Sequence, residues 1–222
     1  MATIDLTTIS AESELIDEGL KAQLFDLFKK MEELVTIKAV VDLSSEKDLQ
    51  MASFLKVVIS LSEKLDLELY TPEEKDQVPE LDTTYLPVTG LYKAGAYGRT
   101  TFHGIPGGKE INSFVLAIYN LAGPGQKISW GLRRKIEKLA VKTNIKICVS
   151  LSCHHCPGVV SACQQLAIIN PGIEAEMIDA GLYEDLVAKY KIERVPVMIF
   201  NDKDIHIGNK SIEEIVELLK KG

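Results

Sequence analysis

Two cysteines three positions apart are the residues of this chain best suited to chemistry. Cys153 and Cys156 lie in the stretch SLSCHHCP, residues 150–157, between an apolar run typical of a strand and a run with helical spacing. The first turn of a helix has unpaired N–H groups and the positive end of the helix dipole, so a sulfur there gains from becoming a thiolate. Its pKa then falls below the ordinary value of about 8.5. We therefore predict that Cys153 is the exposed attacking thiol and that Cys156, one turn into the helix, resolves.

Three neighbours of the cysteines are expected to support this chemistry. Pro157 suits the first turn of a helix, where its missing N–H is no loss. His154 and His155 lie between the two sulfurs, and a protonated imidazole would stabilise a thiolate. Since an isolated imidazole titrates near pH 6.5 (about one half-unit below neutrality), we expect only modest tuning from them.

A second signature follows forty residues later in ERVPVMIF, residues 193–200. Val195 and Pro196 precede an apolar strand, at the place where a cis-proline would face the dithiol. Proline is the residue for which the cis bond is cheap, and the bend exposes backbone that can pair with an incoming peptide. Residues 201–204, Asn-Asp-Lys-Asp, then predict a tight hairpin before a last helix. Together with Cys-x-x-Cys, this order indicates a thioredoxin-like unit.

The periodicity of the rest of the chain predicts two α/β units of about 100 residues each. Residues 1–124 follow the order α-β-α-β-β-β-α and carry no Cys-x-x-Cys, whereas residues 125–222 repeat a similar order with it. In the first unit we expect a helix over residues 12–32 and an edge strand within GRTTFHGIP, residues 98–106. In the second unit we expect a helix over residues 130–143. The fold predicted is α/β, two fused thioredoxin-like folds with central mixed sheets flanked by helices.

The chain resembles a known family, the alkyl hydroperoxide reductase F subunits. The resemblance lies in SLSCHHCPGVVSACQQLAIINPGIEAEMIDAG, residues 150–181, and in RVPVMIFND, residues 194–202. It extends back through FHGIPGGKEINSFVLAIYNLAG, residues 102–123, and is weak before Thr83. It implies that the chain is similar to the N-terminal region of those subunits, in which the first of two thioredoxin folds has lost its cysteines.

The resemblance also implies partners. In the family this region accepts electrons from the dithiol of a flavin- and pyridine-nucleotide-binding module and passes them to the disulfide of a peroxiredoxin. These 222 residues contain no Gly-x-Gly-x-x-Gly opening a nucleotide-binding fold. We therefore expect no intrinsic cofactor beyond the Cys153–Cys156 disulfide. FAD and NAD(P)H are expected only on a flavoprotein disulfide reductase, acting in trans or as a further module.

Glu110, in GGKEINSF, matches an acidic residue that the family places beside the dithiol. A buried carboxylate there could relay a proton as Cys156 becomes a thiolate. The alternative is a glutamate at a helix start, stabilised by the dipole alone.

Other interpretations of the cysteines stay open. A structural zinc site needs four ligands, usually a second Cys-x-x-Cys or a pair of histidines, and neither pattern is present, so no metal is expected. Cys148 and Cys163 alternate with apolar neighbours and are interpreted as core thiols. The favoured function is a thiol–disulfide oxidoreductase acting on the disulfide of a peroxiredoxin or another protein. The alternatives are a broad-client, glutaredoxin-like protein disulfide oxidoreductase and a non-enzymatic redox or zinc sensor.

The composition and net charge of the chain argue against some classes of partner. Hydrophobic residues make up 46% of the chain and charged residues 26%, an ordinary globular balance. A formal net charge of −7 argues against nucleic acid or an anionic membrane surface as a partner. The N-terminal MATIDLTTIS lacks the pattern of a secretory signal, and no apolar run approaches 18 residues. We therefore expect a cytoplasmic protein, in a compartment that keeps thiols reduced.

Overall fold

The structure, a computed structural model, describes residues 4–221, so the outermost residues of the two predicted units lie outside it. Strands and helices follow each other as the sequence predicts. In the first half they are α1 (Glu18–Phe28), β1 (Val35–Val40), α2 (Glu46–Ile59), β2 (Leu65–Tyr70), β3 (Val88–Lys93), β4 (Ala96–His103) and α3 (Ile111–Ala122). In the second half they are α4 (Trp130–Glu137), β5 (Thr143–Val149), α5 (Cys156–Ile169), β6 (Ile173–Asp179), α6 (Glu184–Tyr190), β7 (Val197–Phe200), β8 (Asp204–Ile207) and α7 (Ile212–Leu219). Short 3-10 helices cover Leu6–Thr8, Pro72–Gln77 and Gly108–Glu110.

The eight strands form one continuous mixed sheet in the order β2-β1-β3-β4-β6-β5-β7-β8. Each half contributes four strands with the same pairing pattern. In the first half β1 is parallel to β2 and antiparallel to β3, and β3 is antiparallel to β4. In the second half β5 is parallel to β6 and antiparallel to β7, and β7 is antiparallel to β8. The two predicted sheets are thus joined through parallel pairing of β4 with β6.

A matching proline turn in each half reinforces the repeat. A cis peptide bond precedes the third strand of each set, Leu86–Pro87 before β3 and Val195–Pro196 before β7. The N–H of Gly104, just after β4, donates to the carbonyl of Pro87 at 2.9 Å. The N–H of Gly208, just after β8, donates to the carbonyl of Pro196 at the same distance. The two halves therefore share a hydrogen-bonding pattern where their sequences differ.

Apolar side chains cover both faces of the sheet. On one face a large core packs residues of α1, α2, α3, α5 and α7 against alternate strand positions such as Ile145 and Ile147. On the other face Cys148 and Ile199 belong to a smaller cluster with α6. In the first half that second face is covered by residues around Val78 and Leu81 instead of a long helix. None of the helices in residues 4–221 has the length and apolar character needed to cross a bilayer.

Three details of the sequence prediction were wrong. Helix α1 begins at Glu18 rather than Glu12, because the Asp17 side chain accepts the N–H of Leu20 and caps the helix there. Helix α4 ends at Glu137, six residues early. The predicted edge strand is β4, which lies at the centre of the sheet between β3 and β6. Its residues Thr100 and His103 are accordingly buried.

Candidate active site

The two cysteines lie where β5 ends and α5 begins. Residues 150–155, which we call the redox loop, follow Val149, the last residue of β5. The N–H of Cys153 donates to the carbonyl of Ser150 at 2.9 Å, so the loop turns back before the helix starts at Cys156. The sulfurs of Cys153 and Cys156 are bonded, with their Cα atoms 5.6 Å apart. The Cys-x-x-Cys pair is therefore held as a disulfide at a strand-to-helix junction.

The two sulfurs differ in their access to solvent. Cys156 is completely buried, whereas Cys153 is only partly buried and reaches the surface. The backbone N–H of Cys156 donates to Sγ of Cys153 at 3.2 Å. His155 occupies the N-cap position of α5 without a capping hydrogen bond from its side chain. The sulfur of Cys153 thus receives one of the N–H groups that a helix start leaves unpaired, an arrangement that favours its thiolate.

The other predicted residues around the motif take distinct positions. His154 and His155 are exposed to solvent, and Pro157 lies half-buried in the first turn of α5. Pro196 is buried, while Val195 is partly buried and packs, like Cys153, against the large core. Among the described residues, the backbone N–H and carbonyl of Val195 have no hydrogen-bond partner. An incoming extended peptide could pair with them.

Glu110 is fully buried at the end of the short helix Gly108–Glu110. This helix contacts α5, and α5 begins with Cys156. One carboxylate oxygen, Oε2, accepts a short hydrogen bond from the hydroxyl of Ser113, and Oε1 has no partner among the described residues. Burial raises the pKa of Glu110 to about 7, against the stabilising effect of Ser113. Glu110 occupies the N-cap position of α3 and makes no side-chain capping bond there.

A second buried carboxylate, which the sequence analysis did not assign a role, lies close to this region. Asp179 ends β6 opposite Val149, the last residue of β5 before the redox loop. Its Oδ1 accepts the N–H of Gly181 at 3.0 Å, and burial raises its pKa. The charge of Asp179 also contributes to the raised pKa of Glu110. Asp179 belongs to the IDAG strand end of the family resemblance, and that motif was the one sequence signal that could have indicated it.

The remaining two cysteines lie in the interior, as predicted. Cys148 and Cys163 are free thiols with no solvent exposure. Burial raises the pKa of Cys148 to about 12 and raises that of Cys163 as well, so neither forms a thiolate near neutral pH. Within residues 4–221, no three side chains of His, Cys, Asp or Glu converge in an arrangement that could hold a metal ion.

The fold and the disulfide together define a thioredoxin-fold oxidoreductase. The model of the thioredoxin domain family matches residues 143–220. A solved structure of the NTD_N/C domain of alkylhydroperoxide reductase AhpF from Enterococcus faecalis is 39% identical, with a TM-score of 0.86 over 92% of this chain and 99% of that one. The F subunit of alkyl hydroperoxide reductase from Pseudomonas aeruginosa is 28% identical over 94% of this chain and 38% of its own length.

The chain belongs to the family of alkyl hydroperoxide reductase F subunits, as the sequence resemblance implied. It spans about two fifths of the length of the curated relatives it matches. A protein disulfide oxidoreductase from Aeropyrum pernix K1 shares the fold, with 21% identity and a TM-score of 0.82 over 99% of this chain and 94% of that one.

Proposed function

We propose that this chain relays electrons from a flavoprotein disulfide reductase to the disulfide of another protein, a peroxiredoxin in an alkyl hydroperoxide reductase system. The observation that carries the proposal is the asymmetry of the disulfide. Cys153 is partly exposed and accepts the N–H of Cys156, whereas Cys156 is buried behind it. An accessible, stabilised thiolate followed by a shielded second thiol is what dithiol exchange requires.

In the first step the Cys153 thiolate of the reduced chain attacks one sulfur of the client disulfide. A bond forms between Cys153 and that sulfur, the client's S–S bond breaks, and the client's other sulfur leaves as a thiolate. The client is now half-released and held by one mixed disulfide. Because Cys156 is buried, the client cannot reach it, and the exchange begins at Cys153.

In the second step Cys156 attacks Cys153 and frees the client. Cys156 must lose its proton, and we assign the acceptor role to the Glu110 carboxylate, whose pKa of about 7 lets it both accept and return a proton near neutrality. The client's second sulfur leaves as a thiolate and takes up a proton. The net change is one dithiol oxidised to the Cys153–Cys156 disulfide and one client disulfide reduced to two thiols.

The client is proposed to dock beside Val195 and Pro196. The unpaired backbone groups of Val195 can form two hydrogen bonds with an extended client segment, as a strand does when it is added to a sheet. His154 and His155 are proposed to face the same solvent-accessible side, where they modulate the thiolate modestly.

The electrons are proposed to come from a reductase that binds FAD and NAD(P)H, on a further module or a separate chain. That reductase's dithiol would reduce Cys153–Cys156 by the reverse of the two steps above. Such a system operates in the cytoplasm, where NAD(P)H-dependent reductases keep dithiols reduced.

Two cysteine variants test the proposal. Cys153→Ser should abolish reduction of a peroxiredoxin or of insulin by the dithiothreitol-reduced chain, whereas Cys163→Ser, a change of a buried thiol, should leave it intact. Cys156→Ser should accumulate a mixed disulfide with the client, visible by non-reducing electrophoresis and assigned to Cys153 by mass spectrometry. Full turnover by Cys153→Ser, or no trapped species where the wild type turns over, would refute these roles.

A further inference from the structure

The half without redox cysteines touches the redox loop through its backbone. We propose that Gly108 and Lys109 are positioning residues for Cys153, holding the redox loop in the geometry that stabilises its thiolate. This inference rests on the proposed function for its purpose, since a positioned thiolate matters for exchange. It assigns a mechanical part in that chemistry to the first half of the chain.

The contact begins with a hydrogen bond between the halves. The backbone N–H of Lys109 donates to the carbonyl of Leu151 at 2.9 Å. The preceding carbonyl, that of Ser150, accepts the N–H of Cys153 at the same distance. Two successive carbonyls of the redox loop are therefore fixed, one from within the loop and one from the first half.

Gly108 permits this approach because it has no side chain. Its φ of +55° lies in the left-handed region that favours glycine. A Cβ on Gly108 would lie 2.5 Å from the Leu151 carbonyl oxygen and 3.3 Å from Leu151 Cβ. The first distance is shorter than van der Waals contact allows, and the obstacle is backbone rather than a flexible side chain. Any larger residue must therefore push the redox loop away.

Displacement of the loop would change the position of the Cys153 sulfur. Its sulfur accepts the Cys156 N–H only while residues 150–155 keep their turn in front of α5. If Leu151 moves outward, Sγ of Cys153 moves relative to the helix start, and the thiolate loses part of its stabilisation. The reacting group itself is unchanged, so Gly108 and Lys109 act through Cys153 and do not contact the client disulfide in this scheme.

The neighbouring glycine gives a matched control. Gly107 has extended backbone angles, φ −90° and ψ −175°, which any residue adopts. A Cβ there would lie 3.7 Å from Leu15 Cδ2, an ordinary contact. Gly107→Ala thus adds a methyl group without interference, whereas Gly108→Ala adds the same group at a positive φ and against the Leu151 carbonyl.

The experiment measures the reactivity of Cys153 in the reduced chain. Alkylation by iodoacetamide is followed at Cys153 by mass spectrometry from pH 5 to pH 9, with circular dichroism showing that each variant is folded. We expect Gly108→Ala to move the thiolate titration toward the ordinary value of about 8.5, with alkylation at pH 6 slowed about threefold or more, and Gly107→Ala to match the wild type. A folded Gly108→Ala protein with the wild-type titration would overturn the proposal.

A measurement on the unmodified protein covers the case in which Gly108→Ala does not fold. Lys109 is exposed, so its amide exchanges hydrogen rapidly unless the bond to Leu151 protects it. We expect protection of this amide in the wild type and in Lys109→Ala, which keeps the N–H. Exchange of the Lys109 amide at the rate of a free peptide would overturn the proposal.

The outcomes separate this inference from the proposed function. Alkylation and hydrogen exchange need no client, so a chain that reduces no protein disulfide can still show a Gly108-dependent thiolate. Conversely, client turnover that depends on Cys153 while its titration ignores Gly108 would leave the relay standing and remove the positioning role.

Discussion

Glu110 shows at the scale of one residue how burial changes the pKa of a carboxyl group. Its carboxylate is enclosed, has one oxygen without a partner among the described residues, and has a pKa raised to about 7. A surface glutamate would be ionised throughout the range in which thiols exchange and would have little capacity to return a proton. The burial therefore costs stability and leaves a carboxyl group that can both bind and release a proton near neutral pH, as the proposed relay to Cys156 requires.

Glu110→Gln should slow client reduction on the order of 100-fold near pH 7, the usual size of a general-base contribution. The rate should also lose its inflection near pH 7, because the group that titrates there has been removed. Stopped-flow exchange with a client disulfide between pH 5 and pH 9 measures both. Ser113→Ala is the control: it keeps the carboxylate but removes a bond that lowers its pKa, so the inflection should move upward. An unchanged profile in Glu110→Gln would remove Glu110 from the mechanism.

The same residue predicts a dependence of stability on pH. The pKa of Glu110 is raised in the folded state from 4.5 to about 7, so the folded chain binds the proton more tightly than the unfolded chain. Stability therefore falls as pH rises from about 4.5 to 7 and stays lowered above that range, by about 3 kcal/mol in all. The free energy of unfolding of Glu110→Gln minus that of the wild type should therefore be larger at pH 8 than at pH 4.5. Urea unfolding with the disulfide intact tests this, and a difference that does not vary with pH would contradict it.

At the scale of elements, α5 contacts strands and helices of both halves of the chain. It starts at Cys156, contacts the helix that carries Glu110, and packs against α3. Arg99 of β4 donates from Nε to the carbonyl of Ala167 at 2.9 Å near the other end of α5. A helix held at both ends by the first half keeps the first turn, and with it the disulfide, in a fixed position.

Asn170, directly after α5, is expected to stabilise the turn that leads from this helix to β6. It is buried, its Nδ2 donates to the carbonyls of Ile136 and Leu139 at 2.7 and 3.0 Å, and its Oδ1 accepts the N–H of Gly172 at 2.8 Å. Asn170→Ala leaves those groups without partners and should lower the free energy of unfolding by about 3 kcal/mol.

Urea unfolding measures this loss, and Asn120→Ala provides the comparison. The hydrogen bonds of Asn120 to Gln126 are exposed to solvent, so its loss should cost less than about 1 kcal/mol. Equal losses in the two variants would show that Asn170 has no special structural role.

The elements also show what could be read from the sequence. The redox motif, the cis Val195–Pro196 turn, the hairpin with Asn201 and Asp202 at positive φ, and the order of helices and strands follow from local patterns, and all were predicted. The place of β4 in the sheet was not, because pairing between distant strands is not encoded in local periodicity. His103 of β4, for example, meets Glu176 on a strand more than 70 positions away. The hydrogen bond between Lys109 and Leu151 was not predicted either. It joins backbone atoms, so no side-chain type in the sequence indicates it.

For the whole molecule, the decisive contact is the seam between β4 and β6, where the two halves become one sheet. His103 of β4 is fully buried, and its Nε2 lies 3.4 Å from Oε2 of Glu176 on β6. Asn144 donates to the other oxygen of Glu176, and the nearby imidazole of His103 and charge of Lys146 hold the pKa of the carboxyl below its ordinary 4.5, despite burial.

Glu176→Gln should therefore destabilise the entire chain and not the second half alone, by about 2 kcal/mol at pH 7. Because the folded pKa of Glu176 is depressed, its contribution is fully present above about 4.5 and is lost as pH falls through the lower folded value. The gap between wild type and variant should close in that acid range when unfolding is followed by urea.

The neighbouring Glu174 is the control for this experiment. It is on the same strand but exposed, so Glu174→Gln should stay within about 0.5 kcal/mol of the wild type at every pH. A gap for Glu176→Gln that persists unchanged into acid would show that its charge does not act at the seam.

Joining the two sheets also reduces the number of strand edges whose backbone groups are unpaired and face water. Two separate four-stranded sheets would leave four such edges, each with a row of N–H and C=O groups able to recruit a strand from a neighbouring molecule. In the continuous sheet, of the strands within residues 4–221, only β2 and β8 remain at the boundary. The first half, which contains no cysteine, thus pairs with the edge of β6 and leaves the half with the disulfide one fewer open strand edge at which another chain could add.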